Sequence, residues 1–327
     1  MRICVYGAGA MGTSLGALLS LVCECDLVSR NRAHVSALKA NGATLEKNGA
    51  VYLQTSVKAF LPEEMKGEYD CIVLAVKQRE NSRVAEFLMP YCKADGCLLT
   101  VQNGLPEEAL AELFGKERVY GAALSWGAEL AESGIIKITS DAGFRVGLGA
   151  CGKGARLQEL AELLREAGCT VAVDKLIEIR FAKLATNASF STLSVISGLP
   201  FGVLAKKYKR HCVRLIRETF AVARACGCEK LPLNGHDLFK SLLFCNGLLL
   251  PAAMKKYRNT RSGMLKDLEA GRRCDVDFTA GAVIRKGKQC GVPVPYLECA
   301  VALVHDVENG LAESAPETLE FMDETGV

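Results

Sequence analysis

The spacing of hydrophobic positions changes character part-way along the chain. In the first half, short apolar runs of strand length alternate with segments of helical period. Ile3, Cys4, Val5 and Tyr6 read as a strand buried on both faces, closed by Gly7, and a helix is expected over 10–21. A second strand runs to Val28 and a helix over 33–41 stops at Gly42. Residues 43–47 and 50–55 flank Asn48-Gly49, the pair that a tight hairpin turn favours. The continuous run YDCIVLAV over 69–76 reads as a central parallel strand ending at Lys77. A helix over 81–89 and a strand over 96–101 follow, the latter ending at Gln102-Asn103-Gly104. Strands over 119–126, 135–139 and 144–147, a helix over 156–167 and a strand over 170–173 complete this half.

Beyond Asp174 the period is helical throughout, with helices expected over 176–190, 211–226, 236–244, 264–270, 276–291 and 295–311 and no strand among them. The pattern therefore predicts an α/β fold: an N-terminal Rossmann-type doubly wound sheet over 1–174, then an all-α domain over 175–327.

The first strand and its helix enclose Gly7, Gly9 and Gly12 in the order G-x-G-x-x-G. The first glycine permits the tight turn, the second lets a pyrophosphate approach the backbone, and the third lets helix and sheet pack closely. The helix start, Ala10 and Met11 included, would then present its amides to the phosphates. A strand before and an apolar helix after supply the context that the motif needs. Where an NAD enzyme carries an acidic residue at the end of the second strand, this chain has Ser29 and Arg30. A guanidinium there suits a 2′-phosphate and favours NADP, the alternative being surface arginines at a helix start. Lys77 and Asn103 follow the carboxyl ends of two parallel strands, where doubly wound sheets bind ligands; each alone is also an ordinary loop residue.

A chain of 327 residues, half of them hydrophobic, is long enough for two cored domains. Its net charge of +3 points to neither a nucleic-acid nor a membrane surface. No signal-like start and no long uncharged apolar segment are present, so a cytoplasmic protein is expected. Fifteen cysteines then read as reduced thiols, and the close pairs Cys23/Cys25 and Cys226/Cys228 lack the spacing of a zinc site, so no metal is expected. The apolar stretch GLLLPAA over 247–253 is either core or a homodimer contact.

Lys183, Asn187 and Ser191 recur every four residues at the start of the helical half. On an α-helix the outer two stand only about 80° apart, so an ammonium, an amide and a hydroxyl share one face. Such a face can hold and polarise a carbonyl, or be a plain polar stripe. The histidines His34, His211, His236 and His305 lie outside these motifs.

GAGAMG at the start, Val76-Lys77, Gln102-Asn103-Gly104, KLATN over 183–187 and GMLKDLEAGR over 263–272 together resemble the ketopantoate reductase (2-dehydropantoate 2-reductase) family across nearly the whole chain. The resemblance implies NADPH-dependent reduction of ketopantoate to pantoate on the route to pantothenate and coenzyme A. It implies Lys183 as general acid, Asn187 as a substrate-binding residue, and Lys77 and Asn103 near the cofactor. Three places depart from the family pattern. Ser191 stands for a second Asn and is followed by Thr192 rather than Pro; Gly263 stands for Ser, with Ser262 one place earlier; Asp275 stands for Glu. Ser191, Ser262 and Asp275 are thereby expected to meet the substrate, which is either ketopantoate or a different 2-oxo acid. A non-catalytic NADP-binding redox sensor is the alternative from another class.

Overall fold

The computed structural model describes residues 1–140, 143–233, 235–241 and 249–324. Two compact units divide the chain, Met1–Gln102 with Pro106–Leu176, and Asn103–Leu105 with Ile177–Val327.

In the first unit the strands are β1 (Arg2–Tyr6), β2 (Glu24–Val28), β3 (Ala43–Lys47), β4 (Ala50–Thr55), β5 (Lys58–Phe60) and β6 (Tyr69–Leu74). They continue with β7 (Cys92–Thr100), β8 (Val119–Leu124), β9 (Ala128–Glu132), β10 (Ile135–Ile138), β11 (Arg145–Ala150) and β12 (Thr170–Val173). The helices are α1 (Ala10–Leu19), α2 (Arg32–Asn41), α3 (Asn81–Leu88), α4 (Glu107–Phe114) and α5 (Leu157–Glu166). Eight strands form one sheet in the order β12-β11-β8-β7-β6-β1-β2-β5. From β8 to β5 neighbours pair in parallel, whereas β11 runs antiparallel to β8. A smaller sheet, β4-β3-β10-β9, carries the expected hairpin, with Asn48 at φ 54° and Gly49 at φ 79°.

Alternation along β1 shows why the sheet is covered twice. Ile3 and Val5 join one core with Leu15 and Leu19 of α1 and Leu160 and Leu164 of α5. Cys4 and Tyr6 join the other with Val84 and Leu88 of α3 and Leu110 and Phe114 of α4. Successive side chains point to opposite faces, so a strand apolar at every position demands helices on both. Pattern reading passed over β5, β9 and α4: the first has three residues and the second is largely exposed.

The second unit comprises α6 (Leu176–Thr186), a π turn (Asn187–Ser191), α7 (Thr192–Ser197), α8 (Phe201–Lys207), α9 (Lys209–Ala225) and α10 (Leu250–Ala253). After these come α11 (Gly263–Glu269), α12 (Ala280–Cys290), α13 (Pro295–Glu308) and α14 (Phe321–Glu324). Phe181, Leu184, Leu193, Ile196, Ile216, Val283, Leu297 and Val304 fill its core. Of the helix expected over 236–244, the described residues 236–241 are not helical. Pro232–Leu233 and His236–Asp237 instead form a two-stranded ladder, and residues 242–244 lie outside the described ones. The Asp237 carboxylate accepts the amides of Leu231 (2.9 Å) and Phe239 (3.1 Å), which offers the backbone a turn in place of a helix. The helix expected from 276 begins as a 3-10 turn (Val276–Phe278) and breaks at Thr279. Of the stretch 247–253, residues 247–248 are outside the described set, while Leu250 is fully buried in the core. No single helix among the described residues is long and apolar enough to cross a membrane.

Candidate active site

Register, which no sequence displays, assembles the ligand edge of the first unit. Phe60 pairs with Val28, Val28 with Tyr6, Tyr6 with Leu74 and Leu74 with Thr100, so five parallel strands end in one row. The turns that leave this row carry Gly7, Ser29-Arg30, Lys77 and Gln102.

Gly7 has φ +100°, and a Cβ there would lie 2.7 Å from the Val76 amide nitrogen. Gly7 and Ala8 donate their amides to the Val28 carbonyl at 2.9 and 2.8 Å. A Cβ on Gly12 would run into the Gly7 carbonyl oxygen, whereas one on Gly9 meets nothing within 4 Å. Two glycines are thus required by the fold and the third faces open space. Helix α1 begins there at Ala10 and Met11, with no side-chain cap and no acidic residue in its first turn. That cradle fits the pyrophosphate of a dinucleotide.

Two buried contacts hold the first turn of α1. Gly134 donates its amide to His34 Nδ1 at 3.0 Å, so the ring carries its proton on Nε2 and donates to Thr13 Oγ1, also at 3.0 Å. Burial pushes the His34 imidazole below its ordinary value, which favours this neutral form. On the other side Trp126 Nε1 donates to Ser14 Oγ at 3.0 Å. Neither residue is announced by the motif it supports.

Arg30 is exposed, with Nη1 3.5 Å from the Glu80 carboxylate. Glu80 also takes Arg83 at 2.7 Å, and chiefly that bond lowers the carboxyl from its ordinary range. Asn31 caps α2 through the His34 amide at 3.1 Å, fixing the turn from which Arg30 projects. Lys77 is exposed just before a 3-10 turn (Gln78–Glu80). Gln102 is buried: its Nε2 donates to the Val76 carbonyl (2.8 Å) and Asn81 Oδ1 (2.6 Å), and its Oε1 accepts from Thr100 Oγ1 (3.0 Å). It ties the ends of β6 and β7 together. Asn103, next in sequence and exposed, groups with the second unit, as does Leu105, which packs on that unit's core.

In the second unit, Lys183 is half-buried on α6. Desolvation, and secondarily the Arg180 guanidinium, push its ammonium down to about 7. The expected single helix does not continue past Thr186, because Asn187–Ser191 is a π turn. A π turn winds less per residue than an α-helix and takes back part of the drift that a period of four accumulates. Lys183, half-buried Asn187 and buried Ser191 are therefore brought closer to one line than an α-helix would bring them. Thr192 follows, fully buried, its Oγ1 without a hydrogen-bond partner among the described residues.

Ser262 is buried as the N-cap of α11, its Oγ accepting the Leu265 amide at 2.9 Å. The oxygen is engaged by the backbone while the hydroxyl hydrogen remains to be donated. Asp275 is half-buried at the N-cap position of the Val276–Phe278 turn, but its side chain does not cap.

The model of the ketopantoate reductase PanE/ApbA family matches residues 3–150, and that of its C-terminal region matches residues 175–308. The chain belongs to the ketopantoate reductase family. Among its relatives, a 2-dehydropantoate 2-reductase of Mesorhizobium japonicum is 26% identical, over 93% of this chain and 97% of its own. A crystal structure of 2-dehydropantoate 2-reductase from Geobacter metallireducens superposes with a TM-score of 0.81 at 27% identity, covering 94% of this chain and 100% of that one. A ternary complex of D-mandelate dehydrogenase with NADH and anilino(oxo)acetate shares the fold, at 24% identity and TM-score 0.81, over 95% and 99% of the two chains.

This ketopantoate reductase family member is an oxidoreductase. Its chain also holds groups that pattern reading missed. Arg180, one turn before Lys183, is 1% exposed, and its signal was a cation set between the apolar Ile179 and Phe181. Gln102 was visible as part of Gln-Asn-Gly, but its role as a strand-end tie depends on register. For Thr192 the place held by proline in the family pattern was the one signal.

Proposed function

We propose that the chain catalyses the NADPH-dependent reduction of a 2-oxo acid, with 2-dehydropantoate the preferred substrate and pantoate the product. What supports this reading is a half-buried Lys183 spaced four and eight residues before Asn187 and Ser191 across a π turn, its ammonium pushed down by burial, in a chain of this family. Residues 1–174 serve as the nucleotide-binding half and 175–327 as the catalytic half. Gly7, Gly9 and Gly12 with the Ala10 and Met11 amides cradle the pyrophosphate, Arg30 takes the 2′-phosphate, and Lys77 and Asn103 contact the cofactor. When bound, NADPH supplies the hydride that reaches the keto carbon. Lys183 Nζ stabilises the charge growing on the carbonyl oxygen and gives it a proton. Asn187, Ser191, Ser262 and Asp275 hold the carboxylate and hydroxyl of the acid, the last two as donor and acceptor.

A panel of 2-oxo acids assayed with NADPH tests the reading. The highest kcat/KM is expected for 2-dehydropantoate; a panel in which no acid oxidises NADPH overturns it. Turnover confined to another acid assigns the substrate to Ser191, Gly263 and Asp275, which depart from the family pattern at those positions. For the cofactor, Arg30→Ala is expected to weaken NADPH about ten- to hundredfold and NADH less than about twofold, the scale of losing charge-assisted hydrogen bonds. Equal losses for both nucleotides, by fluorescence titration, remove the 2′-phosphate from Arg30.

A further inference from the structure

Helices α9 and α12 end side by side. A Cβ on Gly287 of α12 would lie 3.3 Å from Val222 Cγ2 of α9, so the glycine permits a close approach there. One turn further along, Cys226 caps α9 and Cys290 ends α12. Both helices finish the same way, in a left-handed glycine: Gly227 at φ 80° and Gly291 at φ 68°. Matching hydrogen bonds close both ends, Cys228 N–H to the Ala223 carbonyl at 3.0 Å and Val292 N–H to the Gly287 carbonyl at 2.8 Å. Two rigid helix ends thus place Cys226 Sγ and Cys290 Sγ 3.5 Å apart.

We propose that Cys226 and Cys290 form a dithiol site that oxidises reversibly to an intrachain disulfide by exchange with small disulfides of the glutathione class. The sulfurs already stand at near-attack separation, and closing to a bond requires a movement of about 1.5 Å, within reach of side-chain rotation. Cys290 is exposed and Cys226 half-buried, so a soluble disulfide has access. Cys71 and Cys97, paired across β6 and β7, are by contrast sealed in the sheet. The pairing also differs from Cys226-x-Cys228, the neighbour that sequence suggests, because Cys228 is buried.

In the first step the Cys290 thiolate attacks one sulfur of the small disulfide; a Cys290–glutathione bond forms, the disulfide bond breaks, and one glutathione leaves as thiolate and takes up a proton. In the second, the Cys226 thiolate attacks Cys290 Sγ, the mixed disulfide breaks, and the second glutathione leaves. The protein loses two electrons and two protons, and one glutathione disulfide becomes two thiols. The bridged cysteines are 64 residues apart, and the loop they close contains Ser262, α11 and Asp275. A loop of that length, once closed, loses much of the entropy it gains on unfolding.

The test incubates the full-length protein with glutathione disulfide and maps its disulfides by mass spectrometry under non-reducing conditions, a readout that does not depend on reductase activity. The expected result is a Cys226–Cys290 peptide, a Tm raised by about 5–10 °C, and reversal of both by dithiothreitol. Cys226→Ser should stall with glutathione on Cys290, and Cys290→Ser should form no bridge at position 226. A glutathione adduct on Cys290 that persists in the parent protein, or a bridge between other cysteines at the same oxidant concentration, overturns the proposal.

Discussion

Replacing Lys183 with alanine is expected to lower kcat for 2-oxo acid reduction by about 10²–10⁴-fold while leaving NADPH affinity within about twofold. In the proposed mechanism the amine acts where charge develops on the carbonyl oxygen, so its loss should fall on the transition state and not on the nucleotide. The pH dependence has a definite sign. The proposed reduction requires the ammonium, which desolvation and, secondarily, Arg180 push down to about 7. Its protonated fraction falls as pH rises through that value, so kcat/KM is level below about 7 and drops tenfold per pH unit above it. A bound carboxylate beside the amine favours the charged form, which moves the limb in kcat to higher pH than the limb in kcat/KM. Lys183→Arg keeps the charge but does not release a proton in this range, so it should be slow and show no alkaline limb. Turnover of Lys183→Ala within tenfold of the parent, or an alkaline limb that survives in Lys183→Arg, would take the residue out of the proton transfer.

How much of this was legible in the sequence depended on whether one element or several had to be known. The strand at Ile3–Tyr6 is readable because a segment buried on both faces is apolar at every position, and the hairpin because Asn48-Gly49 names its own turn. Residues 236–241, the described part of the expected helix, mislead for the opposite reason: their apolar spacing suits a helix, yet one carboxylate, Asp237, captures two amides and turns the chain. The π turn at Asn187–Ser191 is silent as well, since residues four apart look alike in sequence whether the turn is α or π. His34 reads as one polar residue of an amphipathic helix; its ties to Thr13 and Gly134 join residues 21 and 100 positions away. Gly7, Gly9 and Gly12 could be named from sequence, but that the fold needs Gly7 and Gly12 while Gly9 faces open space emerged only from their surroundings.

That distinction yields a prediction with two opposite signatures. In Gly9→Val the new side chain meets no protein atom within 4 Å of its Cβ, and the backbone there is extended with a negative φ of −89°, so Tm should stay within about 2 °C of the parent. The same side chain fills the approach to the phosphate cradle, and Kd for NADPH should rise at least about 100-fold, about 2.8 kcal/mol, the scale of one or two charge-assisted hydrogen bonds. In Gly12→Ala the added methyl is driven against the Gly7 carbonyl, a backbone atom that cannot rotate away. Helix α1 must lift from the turn, with an overpacking cost of about 1–3 kcal/mol and a fall in Tm of about 3–10 °C. Thermal melts and NADPH titrations of the two variants separate the cases. A Gly9→Val protein that melts early yet binds NADPH with full affinity would make these glycines a tight turn and nothing more, because a residue that only shapes the chain cannot be lost without cost to the fold.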